Sequence, residues 1–146
     1  MTTTAETTAT SGLAGALVRV SALVQQVFAD VSREHDVTPQ QAQLLCKLLD
    51  GSLGMTELSR LMNLEKSSLT GLVDRVERRG LVTRVRDLHD RRACKVGLTC
   101  DGARLAAQAH AAVTERLDAV TGELADADRQ RLAAILTDLL SRPGNG

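Results

Sequence analysis

The sequence predicts a mainly helical fold with one small β-hairpin, and three observations support this prediction. Leucine and alanine dominate the apolar residues of the 146-residue chain, whose only aromatic residue is Phe28. Both are strong helix formers without β-branching. Most apolar residues recur every three or four positions, whereas one segment alternates in the manner of two strands. The length is that of a single domain.

The N-terminal part is predicted to contain a tail and then a helix. Residues 1–12 are small and polar, with six threonines, so we expect them to form a disordered tail. Residues 13–34 carry apolar residues spaced by three or four positions, which predicts the first helix. The stripe is narrow and suits packing against another helix. Its first members are Leu13, Leu17, Val20 and Val24.

Two short helices are predicted next. Thr38 precedes a proline and stands three residues before Gln41, a spacing typical of a capping box at a helix start. This second helix is expected to extend to about Leu49. Thr56 is expected to cap a third helix that ends near Met62.

The fourth helix is predicted from Lys66 to Arg79 and has one apolar face. Its apolar positions follow the i, i+3, i+4, i+7 pattern of a buried helix face. They are Leu69, Leu72, Val73 and Val76. Gly80 is expected to end the helix, since glycine readily adopts the left-handed conformation found there.

A β-hairpin is predicted after this helix. Residues 82–86 are β-forming, and apolar and other residues alternate from Cys94 to Leu98. The charged stretch from Asp87 to Arg92 lies between the two strands. The segment is therefore predicted to form a wing that follows a helix-turn-helix.

Two more helices complete the predicted fold. Thr99 stands where an N-cap is expected, and a helical stripe runs from Leu105 to Leu124. Asp126 is expected to cap the sixth helix, and the chain ends in a segment rich in proline and glycine. The apolar positions of the sixth helix include Leu132, Ile135, Leu136 and Leu139.

Positive charge is concentrated on the fourth helix and the hairpin. The chain has 18 basic and 18 acidic residues, but residues 66–95 contain nine basic against four acidic ones, a net charge of +5. This distribution is the electrostatic footprint of a protein that binds a phosphate backbone. The polar side of the fourth helix carries small hydroxyl residues near its start and arginines further along, which permits close approach to a DNA groove. Gly71 on that side leaves the backbone bare.

Several other classes of protein are not favoured. The sequence contains no P-loop, dinucleotide fingerprint, nucleophile elbow or zinc-protease motif, so we expect no enzymatic activity and no cofactor. The three histidines and three cysteines lack the spacing of metal ligands or of a disulfide framework, so we expect no metal. No apolar run approaches the length that spans a bilayer, and the N-terminal tail is unlike a signal peptide. We expect a cytoplasmic protein without a membrane partner.

Two segments resemble the MarR family of winged helix-turn-helix transcriptional regulators. They are Met55–Val82 and Asp90–Thr99, the second followed by Gly102. The resemblance covers about residues 13–140 and implies a single domain, 13–146, that forms a homodimer. It implies that residues 13–34 and 100–141 are dimerisation helices and that residues 38–99 form the DNA-binding lobe. The candidate dimerisation residues are Leu13, Leu17, Val20, Val24, Leu132, Ile135, Leu136 and Leu139.

The resemblance also assigns candidate DNA-binding residues. Ser67, Ser68 and Thr70 match the start of the family's recognition helix, Thr56 matches a phosphate-contact position, and Arg92 matches the wing arginine of an Asp-x-Arg motif. Charge and helix geometry add four more candidates. These are Lys66, Arg75, Arg78 and Arg91.

Similar family members usually repress transcription and release double-stranded DNA when a small anionic, often phenolic ligand enters a cleft between the dimerisation and DNA-binding parts. We therefore expect a sequence-specific repressor that binds palindromic operators, with no effector-binding residue assigned. One alternative is a thiol-based redox sensor that acts through Cys100, because a helix N-terminus favours a thiolate. Another alternative is a winged-helix adaptor that binds proteins and not DNA.

Overall fold

A computed structural model of the chain describes residues 12–86, 88–90 and 93–144. The helices are α1 (Leu13–Glu34), α2 (Pro39–Lys47), α3 (Met55–Met62), α4 (Lys66–Arg78), α5 (Cys100–Val120) and α6 (Asp126–Leu140). The strands are β1 (Leu53–Gly54), β2 (Val82–Arg86) and β3 (Cys94–Leu98). The predicted class, mainly helical with a β-hairpin wing, is confirmed. The predicted tail lies outside the described residues except for Gly12, which caps α1.

The sheet consists of the predicted hairpin and one additional short strand. β2 and β3 pair antiparallel from Val82 opposite Leu98 to Arg86 opposite Cys94. The two-residue strand β1 adds to the other side of β3, so that the strand order is β1-β3-β2. Strand β1 was not predicted, because two residues are too few to show an alternating pattern.

Two of the predicted helix caps are formed as expected. The Thr38 hydroxyl accepts a hydrogen bond from the Gln41 backbone N–H at 3.1 Å, and the Gln41 side chain accepts one from the Thr38 N–H at 3.2 Å, which completes the capping box. The Thr99 hydroxyl accepts a hydrogen bond from the Gly102 N–H at 3.1 Å at the start of α5. Helix α2 ends at Lys47, two residues before the predicted Leu49.

Two other predicted caps are wrong. Thr56 lies in the first turn of α3, and Gly54 holds the cap position without a side-chain hydrogen bond. Asp126 is the first helical residue of α6, and Ala125 precedes it in the cap position. In both cases the backbone turns into the helix one or two residues earlier than predicted. The predicted stripe of α5 is also too long, since the helix ends at Val120 and Leu124 follows in a turn.

The end of α4 follows the prediction closely. Gly80 has a φ of +73°, the left-handed conformation expected of the residue after a helix. The Gly80 N–H donates to the Glu77 carbonyl at 2.9 Å, and the Leu81 N–H donates to the Val76 carbonyl at 3.2 Å. These two bonds form a Schellman motif, which satisfies carbonyls that the helix leaves open and directs the chain into β2.

The chain divides into two compact units, of which the first ends at Val113 and the second begins at Thr114. The core of the first unit is built around the apolar face of α4, whose four predicted residues are at most 1% exposed. They pack with side chains from α2, α3, the sheet and α5. These partners include Leu44, Leu45, Leu58, Val82, Val96 and Ala106. This core fixes α4 with its polar side outward.

Helix α1 belongs to the first unit and leaves much of its apolar stripe exposed. Leu13, Leu17 and Val20 are exposed, and Val24 is half-buried. By length and composition alone α1 is apolar enough to cross a membrane, which departs from the expectation that no segment approaches this limit. Helices that pair with others in soluble proteins satisfy the same criterion, so this property does not by itself indicate a membrane segment.

Candidate nucleic-acid interface

Helices α3 and α4 are joined by a tight turn. Asn63 ends α3 in the left-handed conformation, with φ +52°. The Leu64 N–H donates to the Ser59 carbonyl at 3.0 Å, and the Ser59 hydroxyl donates back to the Leu64 carbonyl. Short polar side chains such as asparagine tolerate this backbone conformation better than most residues. The turn therefore sets the direction in which α4 leaves α3.

The solvent-facing side of α4 carries most of the candidate DNA-binding residues. Six of them are exposed: Lys66, Ser67, Ser68, Thr70, Arg75 and Arg78. The Thr70 hydroxyl donates its proton to the Lys66 carbonyl at 2.8 Å, which leaves its lone pairs to accept hydrogen bonds from outside. The buried apolar face holds the helix in place while this side remains open. The sequence prediction of the two faces is thus confirmed by the burial of the four apolar residues.

Gly71 lies on α4 between the hydroxyl residues and the arginines. A β-carbon at this position would meet only the Arg75 Nη1 atom, at 3.4 Å, which is an ordinary van der Waals contact. The packing of the protein therefore does not require glycine here. A bare backbone at this point allows another molecule to approach the helix closely.

Thr56 is exposed in the first turn of α3. The first turn of a helix has backbone N–H groups without intrahelical partners and carries a partial positive charge. A hydroxyl at this place adds a donor to a region that already attracts anions. Although Thr56 does not cap α3 as predicted, its position suits contact with a phosphate.

The wing contributes a charged cluster that was not predicted from the sequence. The Arg84 side chain of β2 donates to Asp74 Oδ1 through Nη2 at 2.6 Å and to Glu77 Oε1 through Nη1 at 2.7 Å. The hydrogen bond to Asp74 raises the pKa of Arg84. Arg84 is therefore paired with acidic residues of α4, although it counted toward the positive charge of the segment. Arg91 and Arg92, the predicted wing contacts, lie outside the described residues.

The cysteines and histidines form no evident metal site. Among the described residues there is no group of three or more histidine, cysteine, aspartate or glutamate side chains placed to hold a metal ion. Cys100 is exposed at the start of α5, as a redox candidate must be. Cys46 and Cys94 are half-buried, and burial raises the pKa of the Cys46 thiol, which lowers its reactivity.

A cleft lies within the first unit between α1, α2, α3 and α5, with a volume of about 480 Å³. This volume is in the range of small-molecule sites. Its apolar lining comes from Phe28, Cys46, Leu61 and Met62, and its polar lining from Gln43, Lys47, Asn63 and His110. No effector-binding residue was predicted from the sequence, because the lining comes from four separated elements and has no motif.

Comparison with known proteins agrees with this architecture. The profile of the MarR family matches residues 37–94. The transcriptional regulator FarR of Neisseria gonorrhoeae is 29% identical over 126 residues, which are 86% of this chain and 84% of that protein. The structure of a MarR family protein from Bacillus stearothermophilus is 32% identical, with a TM-score of 0.79, and the match covers 87% of this chain and 89% of that one.

A further similar structure was determined with a ligand. It is that of NadR in complex with 4-hydroxyphenylacetate, which is 26% identical with a TM-score of 0.75 over 90% of this chain and 94% of that one. This match extends well beyond residues 37–94, the part of the chain that the family profile covers. This chain therefore belongs to the MarR family of winged helix-turn-helix, DNA-binding transcriptional regulators, which are not enzymes.

Proposed function

We propose that the protein is a homodimeric repressor that binds a palindromic operator and releases it when a small anionic ligand occupies the cleft. The observation that carries this proposal is the exposed polar side of α4, which sits on a fully buried apolar face. Residues 66–95 around it hold nine basic and four acidic side chains. A firmly held helix with exposed donors and net positive charge is suited to the major groove.

Each contact has a distinct part in this proposal. Ser67, Ser68 and Thr70 near the start of α4 read base edges, since short side chains bring the helix close to the groove floor. Thr56 on α3 binds a phosphate. Lys66, Arg75 and Arg78 add contacts to the phosphate backbone, and Arg91 and Arg92 reach the adjacent minor groove, whose negative potential attracts guanidinium groups.

The proposed dimer is supported by apolar side chains that a single chain leaves exposed. Leu132, Ile135, Leu136 and Leu139 on α6 are between 37% and 56% exposed. On α1 the predicted residues Leu13, Leu17 and Val20 are exposed as well. Stripes of this kind are typical of an interface with a second copy. Two copies related by a two-fold axis would place two α4 helices against half-sites about one helical turn apart.

We propose that the effector is a small carboxylate, such as a phenolic one, that binds in the cleft. Lys47 offers an ammonium group to the carboxylate, Gln43 and Asn63 offer amide groups, and Phe28 offers one aromatic surface. NadR, which is similar in structure, was crystallised with 4-hydroxyphenylacetate, a ligand of this class. Two arrangements of the dimer are assumed, of which only one binds DNA. If the ligand binds the other arrangement more tightly by about 3 kcal/mol, it would weaken operator binding roughly 150-fold.

Thiol-based sensing through Cys100 is a second candidate function. It is favoured by the exposure of the Cys100 thiol at the start of α5. Either sensing mechanism acts on the same DNA-binding surface. We also propose that the protein works in the cytoplasm. The two mechanisms differ in the signal, which is a bound ligand in one and an oxidised sulfur in the other.

Selection of binding sites from a random pool of double-stranded DNA at two salt concentrations tests the proposal. We expect enrichment of an inverted repeat and a steep loss of affinity at the higher salt concentration. The selected operator then allows release to be tested with 4-hydroxyphenylacetate and, separately, with peroxide. Weak binding to all sequences without enrichment would contradict a sequence-specific repressor and favour the adaptor alternative.

A further inference from the structure

Arg84 donates three hydrogen bonds to side chains of the recognition helix α4. Its two terminal nitrogens bind Asp74 at 2.6 Å and Glu77 at 2.7 Å, and its backbone N–H donates to the second oxygen of Glu77 at 3.2 Å. Asp74 and Glu77 are three positions apart, so both carboxylates point from the same side of the helix. One residue of the wing is therefore bound to one side of α4 at three points.

The position of Arg84 in the sheet explains how this contact arises. β2 is an outer strand, since the order is β1-β3-β2, and alternate N–H groups of an outer strand lack a strand partner. Glu77 accepts a hydrogen bond from one of them. Arg84 also shares a strand face with Val82, which is buried in the core beside α4. The Arg84 side chain is 28% exposed, so solvent screens its ion pairs less than those of a fully exposed arginine.

We propose that Arg84 is a positioning residue for DNA recognition, which holds the wing at a fixed orientation to α4. This inference rests on the proposed function, in which α4 and the wing contact the same DNA. β2 leads directly into the loop that carries Arg91 and Arg92. If β2 is fixed to α4, the wing is already oriented toward the minor groove before DNA binds. The wing then loses less conformational entropy when the protein binds DNA. Arg84 also offsets part of the negative charge of Asp74 and Glu77 on the helix that approaches the phosphates.

Hydrogen exchange of the free, full-length protein tests the contact without DNA. In Arg84→Ala we expect amides of residues 82–98 to exchange at least about tenfold faster. The reason is that the hairpin can then open without breaking the hydrogen bonds from the Arg84 side chain to Asp74 and Glu77. The amides of α2 and α3 should change less than about twofold. Arg104→Ala is the matched control, since it removes an exposed arginine that pairs with Asp101 at 3.7 Å on α5. Unchanged exchange of the hairpin in Arg84→Ala would overturn the inference.

Reversal of the charges guards against a general loss of stability in Arg84→Ala. Arg84→Glu alone should loosen the hairpin, because it places a third carboxylate beside Asp74 and Glu77. Combination with Glu77→Arg restores opposite charges at the same place and should return hairpin exchange toward the wild-type rate. An arginine that matters only for packing would not be rescued by this exchange of charges.

A double-mutant cycle on the selected operator tests whether the contact serves DNA binding. We expect Arg92→Ala to weaken binding about tenfold in the wild-type background and less than about threefold in Arg84→Ala, because a loosened wing no longer presents Arg92 well. Equal losses in both backgrounds would overturn the positioning role. If Arg92→Ala has no effect in either background, the proposed wing contact is wrong, and hydrogen exchange alone decides whether Arg84 fixes the wing.

Discussion

Helices α4 and α6 have similar lengths and similar apolar periodicity, but they differ completely in burial. α4 has 13 residues, and its four apolar side chains are at most 1% exposed. α6 has 15 residues, none of which is buried within the described chain. Its leucine and isoleucine side chains are instead 37% to 65% exposed.

The difference shows that a hydrophobic pattern predicts which helix face requires burial but not what covers it. The face of α4 is covered by α2, α3, the sheet and α5 of the same chain. The face of α6 has the same need, since each fully buried leucine or isoleucine contributes about 1.5 to 3 kcal/mol. A second copy of the chain meets this need in our proposal. α4 is then held for recognition and α6 for assembly.

Ile135→Glu tests this comparison most severely and should have the largest effect. Ile135 is 56% exposed in the single chain, so the substitution should leave each chain folded. In a dimer it would place an unpaired carboxylate in an apolar interface, which is strongly unfavourable. We expect a folded monomer in analytical ultracentrifugation and at least about a hundredfold loss of operator binding, because one lobe alone makes half of the contacts.

Ala134→Glu is the matched control for this experiment. Residue 134 lies on the opposite side of α6 from the stripe formed by residues 132, 135, 136 and 139, and it is exposed. The same carboxylate placed there should leave the dimer and its operator affinity unchanged. A dimeric Ile135→Glu variant with normal affinity would show that α6 is not the interface and that its exposed stripe has another explanation.

Arg92→Ala has a smaller expected effect and examines the recognition side of the comparison. Loss of one guanidinium that contacts DNA phosphates or the minor groove should weaken operator binding about tenfold and lower the salt dependence of log K by about 1. Titrations at several salt concentrations measure both quantities. Arg104→Ala, which removes an arginine from α5, should change neither of them. Equal salt dependence in wild type and Arg92→Ala would argue against the wing contact.

Most elements of the fold could be predicted because their signals are local. The capping box can be predicted from Thr38 and Gln41 alone, which are three positions apart. The end of α4 can be predicted from Gly80 alone, because glycine readily adopts a positive φ. The caps assigned to Thr56 and Asp126 are wrong for a related reason. A side chain caps a helix only when its own backbone is extended, and in these two helices Gly54 and Ala125 adopt that conformation instead.

The features that could not be predicted depend on contacts between distant segments. β1 exists because Leu53 pairs with Val96, 43 positions along the chain. The charge of Arg84 was counted correctly, but its partners on α4 follow from how the hairpin packs on that helix. The cleft is lined by residues from four helices, so no spacing in the sequence indicates it. Tertiary structure decides such features, and a local pattern does not.

Gly71→Ala should have the smallest effect of the three and separates stability from recognition on α4. Alanine is favoured over glycine within a helix by about 1 kcal/mol, and the new β-carbon would meet only Arg75 Nη1, at 3.4 Å. We therefore expect the melting temperature to rise by about 2 to 4 °C. We also expect operator binding to weaken about threefold, because the methyl group occupies space that a closely approaching DNA backbone or base would take.

The direction of these two changes is the informative result. Thr137→Ala is the control, since it also improves helix propensity at an exposed position but lies on α6, away from the proposed DNA-binding surface. It should raise stability without changing operator affinity. If Gly71→Ala behaves in the same way, DNA does not approach the bare backbone of α4 at this point. If stability rises while affinity falls, Gly71 makes the helix less stable but allows a closer fit to DNA. In that case the exposed face of α4 serves DNA binding, whereas the exposed face of α6 does not.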